Sequence, residues 1–239
     1  MGKIIAYFAP HQDDELNNLG VDICRECEKG HDVFCTLCTD GSSSFVRKFL
    51  GNGEECFLHP GRHVYHMERP EFAMARDREY RASCQSLGIR EDRILISPDR
   101  AQDGSLSVEK AEGIIRDFLA CHPQDEITVK VIMPASGCRQ NPDHTNLGNA
   151  AKKLYAQGAF SHLELFFEPL LWGEPSPEKA EVERIDPENG EQRKKILKAV
   201  AAYNIWDPDK GFFAVGYHSV KDEFDAFAAD PHTYRKIVG

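Results

Sequence analysis

The chain has 239 residues, enough for one well-buried α/β domain and short for two. Its 39 acidic against 29 basic residues give a formal charge of -10, which repels polyanions and argues against sequence-independent nucleic-acid binding and attachment to acidic lipids. Lys3 and a short apolar run ending at Pro10 do not make a secretory leader, and no stretch nears the roughly 20 apolar residues of a transmembrane segment, so a soluble cytoplasmic protein is expected.

Strand-like and helix-like patterns alternate along the chain. The periodicity predicts strands at 3–9, 32–38, 93–97, 127–133 and 162–168, and helices at about 14–29, 73–87, 107–121, 144–157 and 190–203. Gly30, Gly88 and Gly158 punctuate helix ends, and Ser107 stands as a cap before another helix. This is the βαβ signature of a Rossmann-like α/β fold: a mostly parallel sheet with helices on both faces, as an α/β/α sandwich in a single domain over 1–239. Residues 40–72 read as a long inserted loop carrying His59, His63 and His66, of the kind that binds ligands or covers a site. Solvent-facing or substrate-contacting histidines are favoured there over a second metal, since Pro60 and Gly61 break any helix through them. The Pro/Gly-punctuated stretch 174–190 is expected to be a surface connection, with a less regular C-terminal part from about 172.

Cys24, Cys27, Cys35 and Cys38 form two CxxC pairs that superficially resemble a zinc-ribbon set. The first pair lies in a helical pattern, and strand alternation sends Cys35 and Cys38 to opposite faces. Ordinary core cysteines are therefore expected, and disulfides are not.

The residues that carry chemistry sit where strands end, as ligands do in open parallel sheets. Pro10-His11-Gln12-Asp13-Asp14-Glu15 follows the first strand, Thr39-Asp40-Gly41-Ser42 the second, and a polar loop running to Asn141-Pro142-Asp143-His144 the fourth. His11, Asp14 and His144 make a two-histidine, one-carboxylate metal set, while Asp13 stays free to take a proton from the attacking water. Asp13 and Asp14 can also cap the helix they precede, and Asp143 can orient an imidazole or serve as a helix cap. Asp40 before Gly41 reads as a loop-shaping residue near the site.

These motifs, with Arg76-Asp77-Arg78-Glu79 opening a helix that ends at Leu87-Gly88, resemble the PIG-L/LmbE-like zinc deacetylases. The resemblance runs in order and spacing over roughly 3–170, and more weakly through Gly216-Tyr217-His218 to Glu223-Phe224. It implies His11, Asp14 and His144 as zinc ligands, Asp13 as the catalytic base, and Arg76 and Glu79 near the substrate. Arg76 would meet a substrate hydroxyl or phosphate; alternatively, the two form a helix-surface pair one turn apart. The family's leading histidine in His-Pro-Asp-His is replaced by Asn141, whose amide can donate to developing negative charge but cannot deliver a proton. Asp13, His218 or a histidine of the 59–66 loop would then protonate the leaving amine.

The implied activity is metal-dependent removal of an N-acetyl group from an amino-sugar derivative, such as an N-acetylglucosaminyl conjugate, with a small-molecule partner. Two histidines and one aspartate suit Zn2+ and also other divalent cations such as Fe2+. The alternatives are an amidase for a larger N-acylated conjugate or glycosylated natural product, and a metal-containing glycoside-binding protein with weak turnover. The free base Asp13 argues for turnover.

Overall fold

The computed structural model describes residues 3–123, 125–133, 141–168 and 182–238. In chain order the main elements are β1 (Lys3–Ala9), α1 (Asp14–Asn17), α2 (Gly20–Glu28), β2 (Asp32–Thr39), α3 (Val46–Phe49), α4 (Arg69–Leu87), β3 (Ile94–Ala101), α5 (Val108–Ala120), β4 (Glu126–Ile132), α6 (Pro142–Ala156) and β5 (His162–Phe167). They continue with β6 (Glu183–Ile185), α7 (Gly190–Ala202), β7 (Trp206–Asp207), β8 (Phe212–Phe213), α8 (Val215–Ala229) and β9 (Thr233–Val238).

The main sheet has strand order β3-β2-β1-β4-β5-β9-β6, and the first five strands are parallel. Strand β9 closes antiparallel onto β5 and pairs antiparallel with β6. Alternation along β1 divides the core. Ile5, Tyr7 and Ala9 join the layer that packs helices α2, α4, α7 and α8, whereas Ile4, Ala6 and Phe8 join the layer beneath α5 and α6. Each strand is apolar on both sides because both faces are covered, which gives the Rossmann-like three-layer sandwich. The chain passes from β1 to β2 on one side and returns from β3 to β4 on the other, so a crevice opens at the carboxyl ends of β1 and β4.

Local chemistry sets the element ends. Ser107 accepts from Lys110 N at 3.2 Å and starts α5, and Gly88 ends α4 with φ of 110°, which costs a side-chain-bearing residue far more. The helix expected over 14–29 breaks into α1 and α2 at Asn18 and Leu19, where an asparagine side chain donates to Asp14 rather than supporting a helical interior. The inserted loop is shorter than expected, because α4 begins at Arg69 and α3 lies within it. The C-terminal part is more regular than expected: beyond the expected α7 it holds α8, kinked at Val220, and β9 joins the main sheet. Residues 174–181 of the expected connection and 134–140 of the strand-four loop lie outside the described residues.

Cys24 and Cys35 lie in one core layer and Cys38 in the other, and Cys27 packs against the first. They are core residues, as their positions predicted.

Candidate metal and catalytic site

The loop after β1 and the first turn of α6 converge across the crevice. Asn141 caps α6, its Oδ1 accepting from Asp143 N at 3.0 Å, and Pro142 occupies the first helical position, where its fixed φ suits the turn. That start brings His144 onto the β1 side. Its Nε2 lies 3.1 Å from Asp14 Oδ2 and 3.2 Å from His11 Nδ1. His11 Nδ1 is in turn 3.2 Å from Asp14 Oδ2. Donor atoms about 2.0–2.1 Å from a tetrahedral ion sit about 3.4 Å apart, so the triangle is close to the size of a metal-ligand face.

The outer nitrogens reinforce this reading. His11 Nε2 is 3.0 Å from Asp143 Oδ2, and His144 Nδ1 is 2.5 Å from Glu168 Oε1. With each outer N–H donated to a carboxylate, both inner nitrogens present lone pairs toward a carboxylate oxygen. Three acceptors facing one another repel unless a cation joins them, so the residues fit a divalent metal. Burial disfavours charge on His144, but Asp14 and Glu168 outweigh it and raise its pKa to about 9. Burial likewise opposes charge on His11, yet Asp103, Asp14 and Asp143 raise it well above its ordinary value. Burial opposes charge on Asp14 as well, and the two imidazoles nonetheless hold its carboxyl far below the usual range. The site thus favours positive charge at its centre, which a metal supplies in place of protons. Asp143 is fixed by Gly104 N at 2.7 Å and Leu106 N at 2.9 Å, so it orients His11 from a rigid seat.

Asp13 stands beside the triad with φ of 118°, a left-handed conformation that strains an ordinary side chain. The strain lies at the turn that brings His11, Asp13 and Asp14 to one cavity. Burial pushes its carboxyl up to about 6, while Arg76 pulls the other way.

Arg76 ties the first two strand-end loops together, donating to Gln12 O, Gly41 O and Asp13 Oδ2 at 2.5, 2.9 and 3.2 Å. It is 4% exposed, so the helix-surface alternative does not describe it; it lines the cavity while positioning Asp13. Gly41 admits this guanidinium: a Cβ there would come within 2.7 Å of Arg76 Nη1 and 2.1 Å of Gln12 Oε1, and its φ is 62°.

Of the remaining expected residues, Asp40 takes the loop-shaping place read for it, and Glu79 and His218 fall elsewhere. Asp40 does not line the cavity; its Oδ1 accepts from Ser42 N and Asp103 N at 2.9 and 3.0 Å and shapes the loop, as an Asx turn does. Glu79 is fully buried, and its two oxygens accept from Val215 N and Gly216 N, so it caps α8 rather than meeting substrate. His218 lies in the first turn of α8, not at a strand end, and does not line the cavity. Its Nδ1 donates to Ala214 O and its Nε2 faces Cys56 Sγ, which takes both ring nitrogens away from a leaving amine. Among the loop histidines, His66 is exposed, whereas His59 and His63 gather around His218.

The cavity measures about 960 Å³, and Asn141, Asp103, Glu168 and Glu223 join the triad, Asp13 and Arg76 in lining it. Sequence reading missed Asp103 and Glu168, and named Glu223 only within the weaker C-terminal stretch of resemblance, with no role. Glu168 follows β5, which pairs parallel with β4, and that strand-end position was its one available signal. Burial pushes Glu223 up to about 7, helped by Asp13, Asp14 and Glu168.

No curated protein matches the chain. Among solved structures it is similar to Dbv21, the A40926 pseudoaglycone deacetylase, at 14% identity and TM-score 0.62, covering 98% of this chain and 96% of that one. It is also similar to the N,N'-diacetylchitobiose deacetylase from Pyrococcus horikoshii, at 17% identity and TM-score 0.62, over 99% of this chain and 84% of that one. GalB, the 4-carboxy-2-hydroxymuconate hydratase from Pseudomonas putida KT2440, shares 16% identity with TM-score 0.55, over 99% and 96%. Likenesses at such identity establish the fold, and the hydratase shows that one fold serves more than one reaction. Residues 6–155, well over half of the chain and including the His11, Asp13, Asp14 and His144 positions, match the family model described as PIG-L, GlcNAc-PI de-N-acetylase. The chain belongs to the PIG-L family of de-N-acetylases.

Proposed function

We propose that the protein hydrolyses the N-acetyl amide of an amino-sugar conjugate, with zinc as its metal. The observation that carries this reading is the triangle of donor atoms from His11, Asp14 and His144, 3.1–3.2 Å on a side, in one cavity with the unligated carboxyl of Asp13. A divalent cation held there supplies Lewis acidity, polarising the amide carbonyl and making water more acidic. Asp13 takes the proton of the attacking water, and Arg76 keeps that carboxyl aimed. Asn141, its oxygen committed to the α6 cap, offers its amide N–H to the carbonyl oxygen as negative charge grows there. The departing nitrogen receives a proton from Asp13, or from Glu223, whose raised pKa keeps a share protonated near neutrality. The carbon–nitrogen bond breaks to give acetate and a free amine.

The size of the cavity favours a second reading on the same chemistry, in which the substrate is a larger N-acylated conjugate or glycosylated natural product. The free thiols suit a reducing, cytoplasmic compartment. The test is carboxylate release by zinc-loaded protein from N-acetylglucosamine, N,N'-diacetylchitobiose, an N-acetylglucosaminyl inositol and a long-chain N-acyl glucosamine. Acetate from the acetylated sugars, abolished in Asp13→Asn, supports the first reading; fatty-acid release alone supports the second. No release from any of them, with sugar bound equally by wild type and Asp13→Asn, would instead mark a glycoside-binding protein.

A further inference from the structure

We propose a second metal site, separate from the catalytic triad, in which Cys56, His59, His63 and His218 hold a thiolate-preferring divalent ion, zinc by preference, and clamp the inserted loop to α8. Cys56, His59 and His63 follow one another on the loop between α3 and α4, and His218 comes from the first turn of α8. Donor atoms of Cys56, His59 and His218 all lie within 4.8 Å of one another. Cys56 Sγ is 3.2 Å from His218 Nε2 and 3.7 Å from His59 Nδ1. With zinc–sulfur and zinc–nitrogen bonds of about 2.3 and 2.0–2.1 Å, sulfur and nitrogen ligands of a tetrahedral site stand about 3.5 Å apart, between those two values.

The tautomers agree with ligation. His218 donates its Nδ1–H to Ala214 O at 2.8 Å, leaving the Nε2 lone pair toward the sulfur. His59 is held through Nε2 by Asn204 Oδ1 at 2.8 Å, leaving its Nδ1 lone pair on the same side. Leu58 N and His59 N both point at Cys56 Sγ, at 3.4 and 3.3 Å, and backbone N–H groups so placed stabilise a thiolate.

His63 is the independent observation. It is 0% exposed, yet neither ring nitrogen has a hydrogen-bond partner, an arrangement that costs free energy if nothing binds there. Its ring lies 5.2 Å from that of His218, beside the Cys56, His59 and His218 donors, which makes it the fourth ligand we assign to the ion. Metal binding releases the Cys56 thiol proton to solvent, and no redox partner is involved.

The clamp has a structural purpose. The loop carries Ser44 and Phe45 to the cavity, and α8 carries Ser219, Val220 and Glu223 to it, so a joint between them fixes two walls of the site.

Metal content and cobalt spectra of untagged His144→Ala protein test the proposal, because that variant disables the triad, which contains no sulfur. We expect His144→Ala to retain about one zinc per chain, and its cobalt-substituted form to show a thiolate-to-cobalt charge-transfer band in the near ultraviolet. Adding Cys56→Ser should abolish both, and adding His59→Ala, a change on a partly exposed loop that folding tolerates, should weaken zinc binding at least about tenfold. A cobalt form of His144→Ala without that band, or zinc affinity unmoved by His59→Ala, would overturn the site. So would a band that survives Cys56→Ser.

Discussion

At Asp13 the backbone and the side chain demand different things: a φ of 118° disfavours any residue but glycine, while a base needs a carboxyl. A residue kept there for its side chain should be dispensable for metal binding and indispensable for turnover. We therefore expect Asp13→Asn to keep its metal and lose about 10²–10⁴-fold in kcat, the usual contribution of a positioned general base. Elemental analysis beside acetate release checks both halves, and metal loss in the variant would sink the assignment. Asp143 makes the complementary case, since its carboxylate reaches the metal-binding triangle through His11 Nε2 and is not one of its three donors. Asp143→Ala should weaken metal binding about 10–100-fold, measured by competition with a chelator, as removal of outer partners of metal-bound histidines does.

Between elements, two buried carboxylates have opposite consequences. Asp22 on α2 is paired by Lys130 Nζ at 2.6 Å from β4, both 1–2% exposed, and Lys130 also reaches Glu164 at 3.0 Å. Lys130→Ala removes the buried cation and leaves Asp22 and Glu164 with Arg235 at 3.5 and 3.1 Å, so the expected loss is at the low end of that for breaking a buried pair, about 3 kcal/mol of unfolding free energy by urea denaturation. An unchanged midpoint would show that water reaches the cluster. Glu79 of α4, set against the start of α8, is different, because burial raises its carboxyl from 4.5 to about 8 despite two backbone N–H donors. The folded chain then keeps a proton that the unfolded chain has released. Stability present below pH about 4.5 is lost as pH rises toward 8, by up to about 1.4 kcal/mol per pH unit. Glu79→Gln cannot titrate, so its stability should fall less steeply over that range; parallel pH profiles of melting temperature for the two proteins would refute this.

Across the whole molecule, what the sequence revealed followed from chemistry that is local in the chain. Short, mostly apolar runs marked the five parallel strands, and a sheet so ordered opens a crevice where its strands end, so His11, Asp14 and His144 were legible as a set before any distance was known. Glu79 and His218 were misread because their partners are more than a hundred residues distant: Val215 and Gly216 for one, Cys56 for the other. Strand β9 was missed because pairing antiparallel to β5 leaves no local mark.

The same long-range assembly builds the cavity mouth, and it sets the last expectation. Phe45 from the inserted loop is 63% exposed and lines the cavity with Phe227 of α8 and His232, whereas the reacting groups lie on the β1 and α6 loops. Division of labour between floor and rim predicts that Phe45 contacts the group attached to the sugar and not the acetamide. Phe45→Ala forfeits part of one ring's burial, about 1 kcal/mol, which is roughly fivefold in KM for a conjugate with an apolar or aromatic substituent. Its kcat should hold, and N-acetylglucosamine itself should show neither change. A fall in kcat would place the ring against the reacting amide, and an unchanged KM for every conjugate would mean that the rim makes no contact with what the sugar carries.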